Sequence, residues 1–508
     1  MVRDRSGPAG QREMMQPARA ELKQPSFHSG VRWTSLAQGT IAASQFLSGL
    51  VLFKLLSIEV FGIVAMAHLV TGFADQLREL GTRMALVQRK EITPEALDSA
   101  FFVNLAVGVV LAAGVWLAAP LASAFYKSDA IRAPLEALSS LFLIASLGQV
   151  QRALLTRSMQ FGRLAVVDTS AALVEASVTI LLAIAGYGVW SFVLGEIAMT
   201  MTATVGIAIA RPWRPGLRIR RTEIRSLVRF GASLMGFNLA NYFLTNADRL
   251  IIGRVLGADA LGLYAFAQRL ALFPMRSLSG VMMNVLVPQL AREQDDHPRF
   301  AAMFARSCAG VALLSFPLLG ALAVLIGPLV ALYDPKWAPA VVLVALLCPA
   351  GMIQSFTRMV GPVFVALGRP DLLFRVGLFA GVVVFCGSIV GVRFGVLGVG
   401  FAFSTTTALT AIPAILLAMS QISARPRMLA RALEPMVSAT GFALLIMVAL
   451  RSVLGMADSP SWTLLVFVGI AGAIGYWGLI ALRHPPALDD LLRVLGLRAA
   501  ARSGPNAS

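Results

Sequence analysis

Charge is the scarcest commodity in this chain. Only 14% of its 508 residues are Asp, Glu, Lys or Arg, against roughly 25% in a soluble domain. So little charge cannot cover a water-facing surface, which excludes a soluble globular protein. Acids are scarcer than bases, 26 against 43, for a net charge of +17. The four histidines, His28, His68, His297 and His484, are scattered and share no ligand spacing with cysteine, so no metal and no other cofactor is expected. Cys308, Cys348 and Cys386 fall in separate apolar runs without a C-x-x-C, and no disulfide framework follows. No G-x-x-x-x-G-K-[ST] loop occurs, so ATP hydrolysis is not expected. Residues 1–30 are polar and Arg-rich with no apolar h-region, which reads as a disordered cytoplasmic tail rather than a signal peptide.

Apolar runs are what the chain has in abundance. Hydrophobic residues make up 57% of it, and the mean hydropathy is +0.76. A helix needs about 20 apolar residues to cross a bilayer. Fourteen segments meet that length: 31–54, 61–82, 98–120, 132–152, 164–185, 187–210, 227–250, 259–287, 302–327, 338–364, 371–392, 395–419, 432–452 and 461–482. With both termini cytoplasmic, alternate loops collect Arg83/Arg89/Lys90, Arg152/Arg157/Arg163, Arg292/Arg299 and Arg425/Arg427/Arg431. The opposite loops carry little beyond Lys127, Lys336, Arg393 and Arg451. That asymmetry is the positive-inside pattern, and it accounts for the basic charge without nucleic acid.

The chain also repeats itself. Lys54-Leu55-Leu56-Ser57-Ile58-Glu59-Val60-Phe61-Gly62 aligns with Arg254-Val255-Leu256-Gly257-Ala258-Asp259-Ala260-Leu261-Gly262. Ala133-Pro134 matches Ala338-Pro339, with Tyr126 and Tyr333 upstream, and GYGVWSFVLG at 186–195 resembles RFGVLGVGFA at 393–402. Segments 1–6 therefore match 7–12. Because six is even, both halves share one orientation, a parallel repeat about an axis along the membrane normal. The expected fold is an all-α polytopic membrane protein with 14 transmembrane helices, two six-helix lobes related by a pseudo-twofold, and two C-terminal helices. The lobes span 31–210 and 230–420, joined by a cytoplasmic basic linker at 211–229. The last two crossings fall within 431–483, before a cytoplasmic tail at 484–508.

Several stretches carry a family resemblance: FKLLSIEVFGIVAMA (53–67), Glu79-Leu80-Gly81 followed by Ala85-Leu86-Val87-Gln88, and N-x-x-x-x-N-A-D-R-L-I-I-G-R-x-L-G-x-x-x-L-G-x-Y-x-x-A from Asn241 to Ala267, with Pro288 beyond. Over about residues 30–480 the chain resembles the polysaccharide transporter family of the multidrug/oligosaccharidyl-lipid/polysaccharide (MOP) exporter superfamily. The resemblance implies a flippase that carries a polyprenyl-diphosphate-linked oligosaccharide to the outer leaflet of a bacterial inner membrane, for exopolysaccharide, O-antigen or capsule. It implies no enzymatic activity. The expected partners are that lipid-linked oligosaccharide, the bilayer, and the polysaccharide polymerase and export machinery. Two alternatives stay open. One is a multidrug antiporter of the same superfamily, which the arginine bias of the helices disfavours. The other is a polymerase or ligase, which the short outer loops disfavour.

Ionisable groups inside a span face a cavity or a partner, because lipid solvates them poorly. Arg269 and Arg276 are seven apart and share a helix face. A cationic cavity suits a diphosphate, since Arg offers paired donors to phosphate oxygens. The opposing reading is an intramolecular ion pair or an arginine reaching to the interface. Arg78, Arg249 and Arg358 are further cavity candidates; Arg249 beside Asp248 also reads as a local pair. Asp75, Glu79, Asp248 and Glu175 are candidates for a charge cluster or for coupling. Asp168 and Glu196, like Glu175, read either as proton-coupling acids or, more commonly, as packing against Ser and Thr, His68 as a helix-packing residue, and Gly391-x-x-x-Gly395 as a close helix contact.

Overall fold

The computed structural model describes residues 27–78, 86–87, 89, 92–273, 290, 292–293, 296–455 and 461–494, and all regular structure among them is helical. The first half of the sequence contains α1 (Phe27–Leu55), α2 (Ile58–Arg78), α3 (Pro94–Tyr126), three short helices α4 (Arg132–Leu138), α5 (Ser140–Ser146) and α6 (Gln149–Arg157), then α7 (Phe161–Ile184) and α8 (Val189–Ala210). The second half contains α9 (Arg221–Thr245), α10 (Ala247–Ala271), α11 (His297–Tyr333), α12 (Val341–Thr357), α13 (Val360–Ala366), α14 (Pro370–Gly391) and α15 (Gly395–Gln421). There follow α16 (Pro426–Val453), α17 (Trp462–Arg483) and a short α18 (Pro486–Val494).

Local chemistry sets the ends. The Thr93 hydroxyl accepts the N–H of Ala96 at 3.2 Å, with Pro94 opening α3, and Asp296 accepts the N–H of Arg299 at 3.1 Å to open α11. Both supply partners to N–H groups that a helix start leaves unpaired. The outer surface of the bundle is apolar: Leu121, Ile209, Leu445 and Leu482 are each more than two-thirds exposed. In a bilayer, acyl chains cover such side chains.

Among the described residues, 11 helices are long and apolar enough to cross a membrane, or 12 with one bent pair taken as a single span. The run Pro370–Gln421 counts once although it holds both α14 and α15. The seventh segment is helical, as α9, but falls short in hydropathy: its sequence includes Arg221, Arg225, Arg229, Asn238 and Asn241.

Three expectations need correction. The fourth segment is not one straight helix: α4 and α5 abut at Ser139, and α6 leaves them at 46° across Leu147–Gly148. Segments seven and eight are not separated by a loop at 251–258. Helix α10 runs through that stretch and breaks at one residue, Gly257, with φ +86° and ψ −172°. Only glycine adopts that backbone without steric cost. The first half breaks at Ser57, between α1 and α2, the position the repeat aligns with Gly257. Finally, Gly391 and Gly395 do not pair. Gly391 abuts the backbone of Gly398, whereas Gly395 makes the turn at φ +75°.

The largest core cluster draws on both halves: Leu52 and Phe53 of α1, Phe61 and Met66 of α2, Ile252, Leu261, Tyr264 and Phe266 of α10, Trp337, and Leu347 of α12. Phe266 stacks on Trp337 with ring centroids 4.3 Å apart, and Phe53 meets Phe266 edge-on at 4.7 Å. Offset and edge-on aromatic pairs of this kind add about 0.5–1.5 kcal/mol beyond their buried area. Helices α2 and α10 cross without intervening side chains. A Cβ on Gly62 would strike the carbonyl of Ala258, and a Cβ on Gly262 would strike the carbonyl of Ile58. Adding 200 to Gly62 and subtracting 200 from Ala258 turns the first pair into the second. The crossing is therefore reciprocal in the register that the sequence repeat specifies.

Candidate functional site

The seam between the halves carries the ionisable groups. Arg269, near the end of α10, is half-buried against α1. Its Nη2 donates to the Gln45 carbonyl at 2.5 Å, and its Cζ lies 5.7 Å from the centre of the Phe53 ring. Gly49 makes room for it: a Cβ there would sit 2.7 Å from that Nη2. No carboxylate lies within 4.0 Å of Arg269 among the described residues. The expected ion-pair alternative for this arginine is thus not realised. Its guanidinium keeps four of five N–H donors without a protein partner among the described residues, the state an anionic headgroup requires. Glu175, half-buried on α7, is near enough to interact electrostatically with Arg269, His68 and Glu196.

Arg249 and Asp248 do not form the local pair that adjacency suggested. Consecutive helical residues point in different directions, and Gln268 joins them instead. Asp248 is 1% exposed; its Oδ2 accepts the Tyr264 hydroxyl at 2.6 Å and Gln268 Nε2 at 2.9 Å. The Gln268 carbonyl in turn accepts Arg249 Nε at 2.7 Å. This relay spans the Gly257 break and braces one arm of α10 against the other. Asp248 therefore belongs to the core, and Arg249 is held at the edge of the relay.

Asp75 and Arg78 form an i,i+3 ion pair at 3.0 Å on the last turn of α2. Arg358 is exposed at the C-cap of α12. Arg276 and Glu79 lie outside the described residues. The structure thus brings Arg249 and Arg269 onto α10 with Glu175 facing Arg269. It places Asp75 and Arg78 together on the neighbouring helix, whereas Arg358 stands at the C-cap of α12.

Two residues read as packing take part in the seam. His68 Nε2 lies 3.0 Å from Glu196 Oε2, joining α2 to α8. The Tyr242 hydroxyl also reaches α2, donating to the Leu69 carbonyl at 2.8 Å, and Gly72 leaves space for the ring. Asp168 likewise pairs with Arg152 rather than with hydroxyl groups. No local signal announces the His68 and Tyr242 contacts, whose members lie more than a hundred residues apart in sequence. The hint available was that His68 and Glu196 each sit inside an apolar run, where an ionisable group needs a partner.

One end of the seam is shut by main-chain acceptors. Arg254 Nη1 donates to the carbonyls of Phe125 and, at 3.3 Å, Ala124. Lys336 Nζ donates to the Lys54 carbonyl at 2.9 Å, Trp337 Nε1 to the Phe53 carbonyl at 2.9 Å, and the Tyr333 hydroxyl to the Leu50 carbonyl. A groove of about 760 Å³ lies elsewhere, on the apolar flank of α14 and α15, and holds none of the seam's charges. No cluster of metal-ligating side chains occurs among the described residues.

A bundle apolar outside and ionisable along an internal seam is a multi-pass membrane protein. A family model described as polysaccharide biosynthesis protein matches residues 51–342, and the chain belongs to that family. It is 27% identical over 354 residues to the lipopolysaccharide biosynthesis protein WzxC of Escherichia coli K12, covering 69% of this chain and 72% of that protein. It is 28% identical over 347 residues to the succinoglycan biosynthesis transport protein ExoT of Rhizobium meliloti 1021, covering 68% and 70%. The fold is that of the lipid II flippase MurJ in an inward closed conformation, with a TM-score of 0.70 at 12% identity over 90% of this chain and 99% of that one. An inward-facing multidrug resistance MATE transporter of the MOP superfamily superposes with a TM-score of 0.55 at 14% identity, covering 77% and 94%. The resemblance read from the 53–67 and 241–267 motifs is borne out.

Proposed function

We propose that this protein is a flippase that moves a polyprenyl-diphosphate-linked oligosaccharide from the cytoplasmic to the outer leaflet of the inner membrane. It has fourteen crossings, with both termini cytoplasmic, and works by alternating access between two six-helix lobes. The observation that carries the reading is Arg269: a guanidinium within a membrane span, held by a carbonyl and an aromatic face, with no carboxylate at contact distance among the described residues. A charge kept that way is costly unless a ligand uses it, and a diphosphate matches its donors. The reciprocal Gly62/Gly262 crossing supports the pseudo-twofold, which puts the seam midway between the lobes, where transporters of this symmetry bind substrate. In the proposed topology the carbonyl-capped end is the outer one, so this conformation is closed to the outside. The names of WzxC and ExoT, and the MurJ-like fold, agree with a polysaccharide-lipid cargo. The protein's role is transport rather than catalysis.

The test is a deletion strain. It should accumulate lipid-linked repeat units on the cytoplasmic leaflet and lose surface polysaccharide, with both restored by the wild-type chain. Intact polymer together with heightened drug sensitivity would overturn the proposal in favour of an antiporter. Accumulated single repeat units already on the outer leaflet would point to a polymerase.

A further inference from the structure

Between α8 and α9 the chain runs from Arg211 to Arg220 outside any helix. It does not hang free. The buried carboxylate of Asp98, near the start of α3, accepts the backbone N–H groups of Gly216 at 2.9 Å and Arg218 at 3.3 Å. The Ser99 hydroxyl accepts the N–H of Arg220 at 3.1 Å, and the Trp213 ring packs on Phe101 with centroids 5.9 Å apart. A Cβ at Gly216 would stand 2.5 Å from Asp98 Oδ2, so a larger residue there would displace the clamping carboxylate.

This clamp uses main-chain donors and one indole, which leaves the basic side chains uncommitted. Arg211, Arg214, Arg218, Arg220, Arg221 and Arg225 are all exposed. None has an ion pair or side-chain hydrogen bond among the described residues. The single acid of the stretch, Glu223, is already taken by Arg89. Set between these arginines are two bare aliphatic side chains, Leu217 at 86% exposed and Ile219 at 48%. A water-facing loop has no reason to hold leucine rigidly outward. The strap begins where α8, a membrane-spanning helix, ends, so it lies at headgroup depth.

We propose that the 211–221 strap is a docking site for anionic phospholipid headgroups of the adjoining leaflet. The guanidiniums take the phosphodiester oxygens, while Leu217 and Ile219 enter the acyl boundary beneath them. Free arginines alone would attract any anion; the aliphatic pair selects a lipid surface over a soluble phosphate. Because the strap is bound to α3 and continues into α9, the bound lipids sit where the two halves are joined. The inference rests on α8 crossing the bilayer and is independent of what the protein transports.

The experiment reconstitutes the full-length protein in phosphatidylcholine vesicles and measures the protein-associated fraction of spin-labelled phosphatidylglycerol against spin-labelled phosphatidylcholine. Phosphatidylglycerol should be enriched about fivefold at low salt, the ratio that one well-placed basic residue provides at an anionic surface. The enrichment should fall toward unity in Arg214→Gln/Arg218→Gln/Arg220→Gln/Arg221→Gln, and fall in part in Leu217→Ser/Ile219→Ser. These side chains are exposed, so neither variant disturbs the core. Removing a second basic cluster, Arg425→Gln/Arg427→Gln/Arg431→Gln, should leave the enrichment near its wild-type value. An unchanged ratio in the strap variant, or an equal loss in the second-cluster variant, would overturn the proposal and leave only the general attraction of basic loops for anionic membranes.

Discussion

Arg269 and Asp248 show that one helix can carry two charged side chains with opposite tasks. Asp248 is buried and takes two hydrogen bonds on one oxygen. Asp248→Ala would leave the Tyr264 hydroxyl and the Gln268 amide without an acceptor, a loss of about 1–3 kcal/mol. Thermal unfolding of the purified protein should show it, and Asp248→Asn should recover most of the stability because its carbonyl serves both donors. Arg269 should behave in the reverse way. Arg269→Ala should leave abundance and melting near wild type but abolish export of surface polysaccharide in the deletion strain. The lost charge-assisted contact is worth about 1.5–3 kcal/mol, or about tenfold to a hundredfold in headgroup affinity. Arg269→Lys should rescue in part, keeping the charge but not the fork. Full export by Arg269→Ala at normal abundance would make this arginine structural. Pattern reading found both residues, because a charge in an apolar run is conspicuous. It missed Gln268, which has no charge to mark it and which acts only by meeting Asp248 and Arg249 across the helix break.

At the scale of elements, the break in α10 is the feature that composition conceals. Gly257 looks like one glycine among 44, and its neighbours read as a loop between two spans. The structure places helix on both sides of it and reserves a φ of +86° for it alone. Gly257→Ala should therefore destabilise the protein by about 1–3 kcal/mol, whereas Gly441→Ala, in the middle of α16 with open space around it, should be neutral or slightly stabilising. Comparable melting temperatures for the two variants would refute the assignment. What the sequence does disclose at this scale is register: the repeat pairs Ser57 with Gly257 and Gly62 with Gly262, and the α2–α10 crossing keeps that pairing. Pairings such as His68 with Glu196 were not legible, because nothing in a single chain reports which distant apolar runs will lie side by side. The kinked α4–α6 path was equally hidden, since hydropathy measures length in residues and is blind to a 46° bend.

At the scale of the molecule, alternating access requires the carbonyl-capped end to open in every cycle. A thiol-reactive cross-linker joining Lys54→Cys to Lys336→Cys, whose native side-chain-to-carbonyl contact is 2.9 Å, should hold that end shut. The background would have Cys308, Cys348 and Cys386 replaced by Ser. Export should stop when a cleavable linker is applied and resume when it is reduced. Export that continues at full cross-linking would mean that this end does not move. A rigid scaffold that tolerates the linker, with the cargo leaving by another route, would then replace the rocking model.

The same end has a further consequence. Arg254, Lys336 and Trp337 donate to the main-chain carbonyls of Ala124, Phe125, Lys54 and Phe53, in the last turns of α1 and α3, and Tyr333 donates to that of Leu50, one turn earlier in α1. Final-turn carbonyls lack intrahelical partners and carry the negative end of the helix dipole. Every residue type supplies the same carbonyl, so the latch constrains the two sides of the joint unequally. On the donor side the side chain is the contact, and its loss is felt at once. On the acceptor side, as far as the latch is concerned, most replacements that keep the helix are silent. Descendants of this sequence can therefore resurface those helix ends, adjusting to new lipids or partners, while the closure itself is inherited unchanged.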